Sequence, residues 1–448
     1  MRRVIIREYG CFARDSVEPR LLRRLKRFDH ACASTSGQTV FDWADVNVIR
    51  AQNYVGVIQL RGLIVEILPK ITEIVDPVAP FDVGLKEREL AQKNLLYMLS
   101  VAGEIPFEER QLADQRSHRM PLIEALIDVF ARALVRELRR GIPQAYVDRR
   151  ENLVFVRGKV LHAINARMNA AHRERLFSEY QEFLADTPLN RILLATCCQL
   201  QQLYLRPRTL MALGEAELDL ADVSHVQVTQ EMFNSINLNR STERFSAILG
   251  FCRMVLLGQT FVPGLGRART FSLLFPMEKV FEGFVGGFIR RYPLEMGLTS
   301  AQVRLQSVGA AKWLVRTADG TGRFRLRPDI LIEDSNGKTR SILDTKWKRP
   351  RTDVEDAKNG IAPSDMYQLY AYANRFNSPD NVLLYPAVAG VTPKVYYLEE
   401  AGVARRIRIE FLDITRDLYA RRSELAGDLR RLLGADEHIT SSPNERTL

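Results

Sequence analysis

Residues 324–347 read FRLRPDILIEDSNGKTRSILDTKW, and Asn336-Gly337 divides this stretch into two runs of β-prone residues. Asn-Gly between such runs is the strongest short signal for a β-hairpin with a two-residue type I′ turn. If Asn336-Gly337 is the loop, the pairing register places Asp329 directly opposite Asp344. Directly opposed Cβ atoms lie about 5 Å apart. The stretch therefore predicts two carboxylates at close range.

The alternation of side chains along a strand gives this hairpin one polar and one apolar face. Asp344 and Lys346 share the polar face, whereas Leu343 and Thr345 point to the other. Adjacent carboxylates repel each other unless a proton or cation lies between them, and hard cations such as Mg²⁺ prefer oxygen ligands. A metal polarises a phosphoryl oxygen and helps to ionise water, while a lysine stabilises developing charge. The pattern indicates phosphodiester hydrolysis, with a merely solvated polar face as the alternative.

The order of these residues carries a family resemblance. Pro328-Asp329 followed by Asp344-Thr345-Lys346 resembles the signature of the PD-(D/E)xK nuclease superfamily. In that fold a helix before the sheet often supplies a further carboxylate. Residues 275–291, FPMEKVFEGFVGGFIRR, have apolar residues at helical spacing, with Glu282 at the edge of the stripe. The resemblance implies Glu282 as the further acid, with Glu278 as its substitute; an ordinary surface glutamate is the alternative.

A helix is also predicted downstream of the hairpin, with Asp365 as its N-cap. Gln368 and Tyr372 are four residues apart and so share a helix face. They resemble the Q-x-x-x-Y motif of RecB-like nucleases. That motif implies hydrogen bonds to DNA phosphates or orientation of the active-site lysine, and tyrosines packed in a core are the alternative.

The resemblance assigns a role to each of these residues. It implies that Asp329 and Asp344 hold Mg²⁺, helped by Glu282 and the carbonyl group of Thr345, with Mn²⁺ able to substitute. Lys346 would position the attacking water or stabilise the transition state, and Gln368 and Tyr372 would orient the DNA strand. Basic residues beside the site are expected to contact DNA, and these are Arg327, Lys348, Arg349 and Arg351.

Length and charge set the scale of the protein. The chain has 448 residues, enough for two or three domains. Its 64 Lys and Arg residues outnumber the 54 Asp and Glu residues, giving a net charge of +10. This excess favours a polyanionic partner, although a generally arginine-rich composition would produce it too.

Cysteine usage and hydropathy exclude several classes of protein. The five cysteines include no C-x-x-C pair, which argues against a structural zinc site, a disulfide scaffold or an iron–sulfur cluster and favours a reducing, cytoplasmic setting.

The first ten residues, MRRVIIREYG, do not resemble a signal peptide, and no run of about 20 apolar residues predicts a membrane span. Gly337-Lys338-Thr339 lacks the glycine that a nucleotide-binding P-loop needs five residues earlier, where Ile332 stands, so no nucleotide site is expected.

A second resemblance covers most of the chain. Residues 53–58 (NYVGVI) and 66–71 (EILPKI) resemble the N-terminal region of the McrC family. A predicted strand at 153–159 (LVFVRGK), followed by Asp186 and Asn190-Arg191, resembles the same family. Arg157 and Lys159 in that strand are candidates for phosphate or partner contacts, and a solvated strand end is the alternative.

The McrC resemblance implies a function. Members of this family are endonuclease subunits of restriction systems for phage defence, whose partner McrB is a ring-forming AAA+ GTPase. The partner recognises double-stranded DNA with modified cytosine, and McrC stimulates its GTP hydrolysis and cuts both strands. A stand-alone RecB-like repair nuclease and a non-catalytic regulatory subunit of an AAA+ motor are the alternatives.

The chain is expected to be an α/β protein with several domains, which together have an α+β arrangement. A β-rich and helical N-terminal region precedes a restriction-endonuclease-like domain with a mixed sheet flanked by helices. The expected parts are a β-rich partner-docking domain (1–80), a mainly helical region (81–245), the nuclease domain (246–433) and a flexible tail (434–448).

Overall fold

The computed structural model describes residues 2–36, 39–70, 85–107, 120–257, 271–306, 312–348, 361–388, 390–400 and 403–433. The chain forms two compact units. The first comprises Met1–Ile58, Gly62–Arg119 and Leu274–Leu448, and the second comprises Gln59–Arg61 and Met120–Leu273. Residue 246, the predicted start of the nuclease domain, lies in the second unit, and the three-domain division stays a prediction. The predicted flexible tail lies outside the described residues.

Helices and strands alternate through the described residues. The helices are α1 Pro19–Ser36, α2 Leu85–Ala102, α3 Leu122–Arg139, α4 His162–Met168, α5 Pro188–Leu200, α6 Pro207–Asp219, α7 Gln230–Asn234, α8 Ser246–Leu257, α9 Met277–Arg291, α10 Pro363–Phe376 and α11 Arg422–Leu432. The strands are β1 Arg2–Arg7, β2 Cys11–Ala13, β3 Phe41–Asp42, β4 Val48–Ala51, β5 Tyr54–Leu60, β6 Leu63–Leu68, β7 Ala145–Leu153, β8 Lys159–Val160, β9 Leu176–Leu184, β10 Phe271–Pro276, β11 Val303–Leu305, β12 Lys312–Arg316, β13 Gly322–Leu326, β14 Ile330–Glu333, β15 Thr339–Thr345, β16 Asp380–Pro386, β17 Lys394–Glu400 and β18 Val403–Leu412. Among these helices, none has the length and apolar character needed to cross a membrane.

A six-stranded mixed sheet forms the centre of the first unit, in the order β11-β14-β15-β16-β18-β17. β15, β16 and β18 run parallel, while β11, β14 and β17 are each antiparallel to their neighbours. A parallel pair needs a long crossover, and α10 lies between β15 and β16 in the chain. The α/β fold class and the mixed sheet flanked by helices are therefore confirmed.

The helix α9 approaches its neighbours closely because it carries three glycines. A Cβ atom added at Gly283 would lie 2.9 Å from the Cβ atom of Ala102 in α2, and one at Gly286 would lie 2.9 Å from Leu305 in β11. Larger residues would therefore push α9 away from both elements. This close packing fixes the position of Glu282, which directly precedes Gly283 in the sequence.

The opposite face of the sheet is covered by α10. Leu369, Tyr372 and Phe376 of this helix share a buried cluster with Leu331 and Ile342 of the hairpin strands. The face that carries Asp344 is thus buried, which corrects the prediction of a purely polar face. The apolar side chains of the strands point both ways, as in the strands of a sheet that is covered on both sides.

The N-terminal strands belong to two smaller sheets. The order of one is β1-β6-β5-β10, with β1 parallel to β6, and the other is β2-β4-β3. β5 and β6 are neighbours in the sheet and flank Arg61-Gly62.

The second unit combines helices with a three-stranded sheet in the order β7-β9-β8. Residues 153–159 were predicted as one strand, but β7 ends at Leu153 and β8 begins at Lys159. Between them, Val154, Phe155 and Val156 are exposed. Their apolar character predicted a strand, but they lie in the connection between two strands.

Candidate active site

The hairpin β14–β15 brings the predicted acids together. Ile330 pairs with Leu343, and continuing this register by one residue sets Asp329 opposite Asp344. The turn itself differs from the predicted type I′ turn. The N–H of Gly337 donates to the carbonyl oxygen of Asp334 at 3.1 Å, and Gly337 alone in this turn has a positive φ, +75°. This is a three-residue loop, a type I turn followed by a left-handed glycine.

The observed pairing register departs from the predicted one twice in this hairpin, each time by one residue, and the two departures cancel. The longer loop shifts the pairing so that Glu333 lies opposite Thr339. An irregularity in the register then follows between Ile332 and Glu333, which restores the predicted pairing nearer the site. The opposition of Asp329 and Asp344 therefore agrees with the prediction, although the turn does not.

Asp344 is a buried carboxylate without a satisfactory set of donors. It has no exposed surface, and neither of its oxygens accepts a hydrogen bond of good geometry from the described residues. Nζ of Lys346 lies 2.5 Å from its Oδ2 atom. Burial, followed by the negative charge of Asp329, raises the pKa of Asp344 to about 7. A cation that could bind both oxygens would relieve this cost.

Asp329 lies at the start of β14 and is held by the end of β15. The N–H and the hydroxyl group of Thr345 both donate to its Oδ2 atom, at 2.7 and 2.8 Å. Burial raises the pKa of Asp329, although these hydrogen bonds and the charge of Lys346 oppose the shift. The side chain of Thr345 thus orients one carboxylate toward the other strand.

Lys346 connects the acids to the helix α10. Its Nζ donates to Oε1 of Gln368 at 3.0 Å, and Nε2 of Gln368 donates to Oη of Tyr372 at 2.8 Å. Oη of Tyr372 donates in turn to the carbonyl oxygen of Arg327 at 3.1 Å. Burial alone would lower the pKa of Lys346, but the charges of Asp344 and Asp329 outweigh it and raise the pKa. Lys346 is therefore a cation at neutral pH.

Glu282 reaches the site from α9. Nε2 of Gln306 donates to its Oε1 atom at 2.9 Å, and the N–H of Gln306 donates to the carbonyl oxygen of Asp329 at 2.8 Å. Burial, followed by the charge of Asp329, raises the pKa of Glu282. Glu278, its predicted substitute, is exposed, and its charge acts on Tyr9. Of the two glutamates, Glu282 shares the electrostatic surroundings of the aspartates.

The carboxylate oxygens of the site are of the type that binds a hard divalent cation, but three acidic side chains do not lie close together among the described residues. Among the described residues, no three His, Cys, Asp or Glu side chains lie close enough to hold a metal ion. The buried oxygens of Asp344 without donors and the neighbouring carboxylate of Asp329 are nevertheless the ligands that Mg²⁺ prefers. The residues present therefore fit Mg²⁺ through two carboxylates, with Glu282 further out.

The predicted DNA-binding residues differ in their surroundings. Arg327 is exposed, whereas Nζ of Lys348 donates to both carboxylate oxygens of Asp365, at 2.9 and 3.1 Å. Arg349 and Arg351 lie outside the described residues. Asp365 was predicted as the N-cap of α10, but the helix begins at Pro363, and Asp365 is buried in its first turn. Pro363 at the first helical position accounts for the earlier start.

Sequence reasoning missed the anchor of the residue after Lys346. Nε1 of Trp347 donates to both carboxylate oxygens of the buried Glu8, at 2.9 and 2.8 Å. The ring of Trp347 also packs on Phe281 of α9, with the ring centroids 5.3 Å apart. These contacts hold the end of β15 in place. The sequence shows a tryptophan directly after the D-x-K motif, but nothing in the sequence links Trp347 to Glu8.

Comparison with known proteins assigns a family. The sequence model described as McrBC 5-methylcytosine restriction system component matches residues 49–386. This chain belongs to the McrBC family. The match spans most of the chain and includes each predicted catalytic residue, and it confirms the McrC resemblance. No curated protein sequence matches the chain.

Two solved structures from Thermococcus gammatolerans have a fold similar to that of this McrBC-family chain. One is a refined half-complex from a tetradecameric assembly of McrB AAA+ hexamers with bound McrC, with 16% identity, coverage of 96% of this chain and 100% of that chain, and a TM-score of 0.69. The other is a cryo-EM structure of the McrBC complex, with 20% identity, coverage of 66% and 89%, and a TM-score of 0.51. At these identities the likeness supports the fold.

Proposed function

We propose that this McrBC-family chain is the Mg²⁺-dependent endonuclease subunit of its restriction system and cuts double-stranded DNA that contains modified cytosine. The observation that carries the proposal is the carboxylate of Asp344, which is buried without good donors beside Asp329 and Lys346. A protein has no structural reason to bury such a charge, because burial without hydrogen bonds costs stability. Perturbed carboxylates of this kind are typical of functional sites.

Asp329 and Asp344 are the residues that would hold Mg²⁺, with the carbonyl group of Thr345 and Glu282 as the further ligands, and Mn²⁺ could substitute. When bound, the metal supplies Lewis-acid polarisation of a phosphoryl oxygen and lowers the pKa of a water molecule. The hydrogen bonds of Thr345 keep Asp329 facing the neighbouring strand. Gln306 donates to the carboxylate of Glu282 from its side chain and to the carbonyl oxygen of Asp329 from its N–H, and so links the two acidic residues.

Lys346 contributes positive charge beside the reacting phosphate. Because its pKa is raised, it acts as a cation that orients the attacking water and stabilises the extra negative charge of the transition state. Gln368 accepts a hydrogen bond from Lys346 and is itself bonded to Tyr372. These two residues therefore position the lysine, and they reach the DNA strand from the same helix face.

A partner protein completes the proposed activity. The first Thermococcus gammatolerans structure contains McrC bound to McrB AAA+ hexamers, which supports an AAA+ GTPase ring as the partner of this chain. The chain would stimulate GTP hydrolysis by that ring, with residues 1–80 as the docking domain. The match to a family of 5-methylcytosine restriction components supports methylated DNA as the substrate.

Cleavage of duplex DNA tests this proposal and its alternatives. Wild type and Asp344→Ala are incubated with methylated or unmethylated duplex, Mg²⁺ or EDTA, and with or without the cognate AAA+ protein and GTP. Asp222→Ala, which removes an exposed carboxylate in the second unit, is the matched control. We expect double-strand cuts only with methylation, Mg²⁺, partner and GTP, lost in Asp344→Ala and kept in Asp222→Ala.

Other outcomes lead to other functions. Cleavage by the wild type without partner or GTP would favour a stand-alone RecB-like nuclease. Stimulated GTP hydrolysis without any cleavage would favour a regulatory subunit. Full cleavage by Asp344→Ala would reject the assigned site.

A further inference from the structure

A second hairpin, formed by β12 and β13, precedes the acidic site in the chain. Trp313 pairs with Arg325 and Val315 pairs with Arg323, so the two arginines lie on one face of the hairpin. Asp319 fixes the turn, because its carboxylate accepts hydrogen bonds from the side chains of Thr317 and Thr321 and from the N–H of Thr321. The hairpin therefore presents its arginines from an ordered support.

The arginines of this hairpin are not neutralised. Arg323, Arg325 and the following Arg327 are exposed, and within the described ranges their side chains form no ion pair or hydrogen bond. By contrast, Nε of Arg304 in β11, the preceding strand in the chain, lies 2.6 Å from a carboxylate oxygen of Glu333. The carboxylate of Asp319 in this hairpin accepts hydrogen bonds within the turn. A row of unpaired cations fits a polyanion.

This row leads directly into the acidic site. Arg323, Arg325 and Arg327 recur at every second residue, and Asp329 is the next residue in the series. At about 3.3 Å per residue, Arg323 and Arg325 in β13 are about 6.6 Å apart, and Arg327 follows the end of that strand. Each DNA strand carries a phosphate about every 3.4 Å along the helix axis. The row therefore spans several phosphates of one strand.

The base of the hairpin is attached to the helix that positions Lys346. Nε of Arg375 in α10 donates to the carbonyl oxygen of Trp313 at 2.7 Å, and Nζ of Lys312 donates to that of Arg375 at 3.2 Å. Nζ of Lys312 also lies 4.6 Å from the ring centroid of Phe376. Because α10 carries Gln368, one helix sets the distance between the hairpin and the active-site lysine.

Phe324, between the two arginines, is exposed and strained. Its side chain is 73% exposed, and its φ is +54°, which is an outlier for a bulky residue. Leu314 of β12 is also exposed. Exposed apolar side chains beside the arginines suit contact with sugars and base edges in a groove. Strain of this kind concentrates at sites that bind ligands.

We propose that the β12–β13 hairpin is a DNA-holding arm in which Arg323, Arg325 and Arg327 bind phosphates of the duplex strand that enters the acidic site. The choice of DNA rests on the proposed function. Contact with phosphates carries no sequence information, so the arm positions the substrate and does not select it.

Binding without cleavage tests the arm. The affinity of the chain alone for a fluorescein-labelled duplex is measured by anisotropy in EDTA at several salt concentrations. We expect Arg323→Ala/Arg325→Ala to bind at least about tenfold more weakly and to lower the salt slope by about 1.8, since each phosphate contact contributes about 0.9. Arg323→Lys/Arg325→Lys should keep most of the slope. Arg173→Ala/Arg175→Ala removes two exposed arginines of the second unit and is the control.

The outcomes separate this inference from the nuclease proposal. Equal affinity and slope in the hairpin and control variants, or no binding by the wild type, would overturn the arm even if the protein cleaves DNA. Hairpin-dependent binding by a protein that never cleaves would keep the arm and reject the nuclease. Thermal unfolding of each variant excludes loss of the fold as the cause.

Discussion

Asp344 in the first unit and Asp186 in the second are both carboxylates next to a cation, yet their surroundings are opposite. Arg191 donates two hydrogen bonds of 2.7 Å to Asp186, and Ser224 adds its N–H and hydroxyl group at 3.0 and 2.8 Å. Asp344 has Lys346 nearby but no donor of good geometry. The pKa of Asp186 is lowered, chiefly by Arg191, whereas that of Asp344 is raised by burial.

The difference separates structural from functional polar groups. Around Asp186, Nδ2 of Asn190 also donates to the carbonyl oxygens of Pro143 and Ala185, so this cluster joins chain segments, and each oxygen of Asp186 has a donor. The oxygens of Asp344 lack hydrogen-bond donors of good geometry among the described residues, and a bound cation would take the place of those donors. A carboxylate with all its donors stabilises the fold, and one without them reserves its oxygens for a ligand.

The largest effect is expected at Asp344. Asp344→Asn should reduce DNA cleavage by about 10³-fold or more, because it removes a proposed metal ligand. The same variant should unfold at a higher temperature than the metal-free wild type, because a buried charge beside the carboxylate of Asp329 is lost. Cleavage assays and thermal unfolding in EDTA check both effects. A variant that cuts normally, or that is much less stable, would show that Asp344 is structural like Asp186.

Tyr372→Phe should have a smaller effect on cleavage. It breaks the hydrogen bonds that link Gln368 to Tyr372 and Tyr372 to the carbonyl oxygen of Arg327. The bond to Gln368 is the one that acts on Lys346, and at about 1 kcal/mol for its loss the rate should fall roughly fivefold. Because both residues act through Lys346, Tyr372→Phe/Gln368→Ala should be no slower than Gln368→Ala alone. Additive losses in single-turnover kinetics would refute the shared role.

Asp186→Asn should alter stability without altering cleavage. The free energy of unfolding should fall by about 1–2 kcal/mol at pH 7, since hydrogen bonds to a charged group are lost. The folded-state pKa of Asp186 is depressed, so its contribution is complete above the unfolded-state pKa of about 3.9 and disappears as the pH falls through the folded-state value. Urea unfolding at pH 7 and at lower pH measures this. An equal difference at every pH would contradict the assignment.

The smallest effect concerns the backbone of the DNA-holding arm. Phe324→Gly should stabilise the protein by about 0.5–1 kcal/mol, because the relief of left-handed strain exceeds the entropic cost of glycine. Phe324→Ala truncates the side chain but keeps the strain, so it is the control. Denaturant unfolding of the two variants gives the difference. If alanine and glycine are equally stable, the backbone at Phe324 is not strained.

Much of the site could be predicted because its signals are local. The period of two in β15 and the helical spacing of α9 and α10 depend on neighbouring residues, and they placed Asp344, Glu282 and Gln368 correctly in strand or helix. The register of Asp329 also agreed, through two cancelling shifts.

Contacts between distant segments could not be predicted in this way. Glu8 and Trp347 are 339 residues apart, and no periodicity links them. The assignment of a strand to residues 153–159 was wrong because apolar composition does not distinguish a buried strand from an exposed connection. The resemblance to McrC drew attention to Arg157, but its guanidinium lies 4.0 Å from the ring centroid of Tyr180 and donates to Glu182. Only the fold reveals such partners.

The central claim is that Asp344 keeps its oxygens for a divalent cation, and Mn²⁺ binding tests it most directly. Titration of the chain alone, followed by the EPR signal of free Mn²⁺, counts the ions bound by wild type, Asp344→Asn and Asp186→Asn. We predict that wild type and Asp186→Asn bind the same number and that Asp344→Asn loses a site. Equal Mn²⁺ binding by all three proteins would contradict the account.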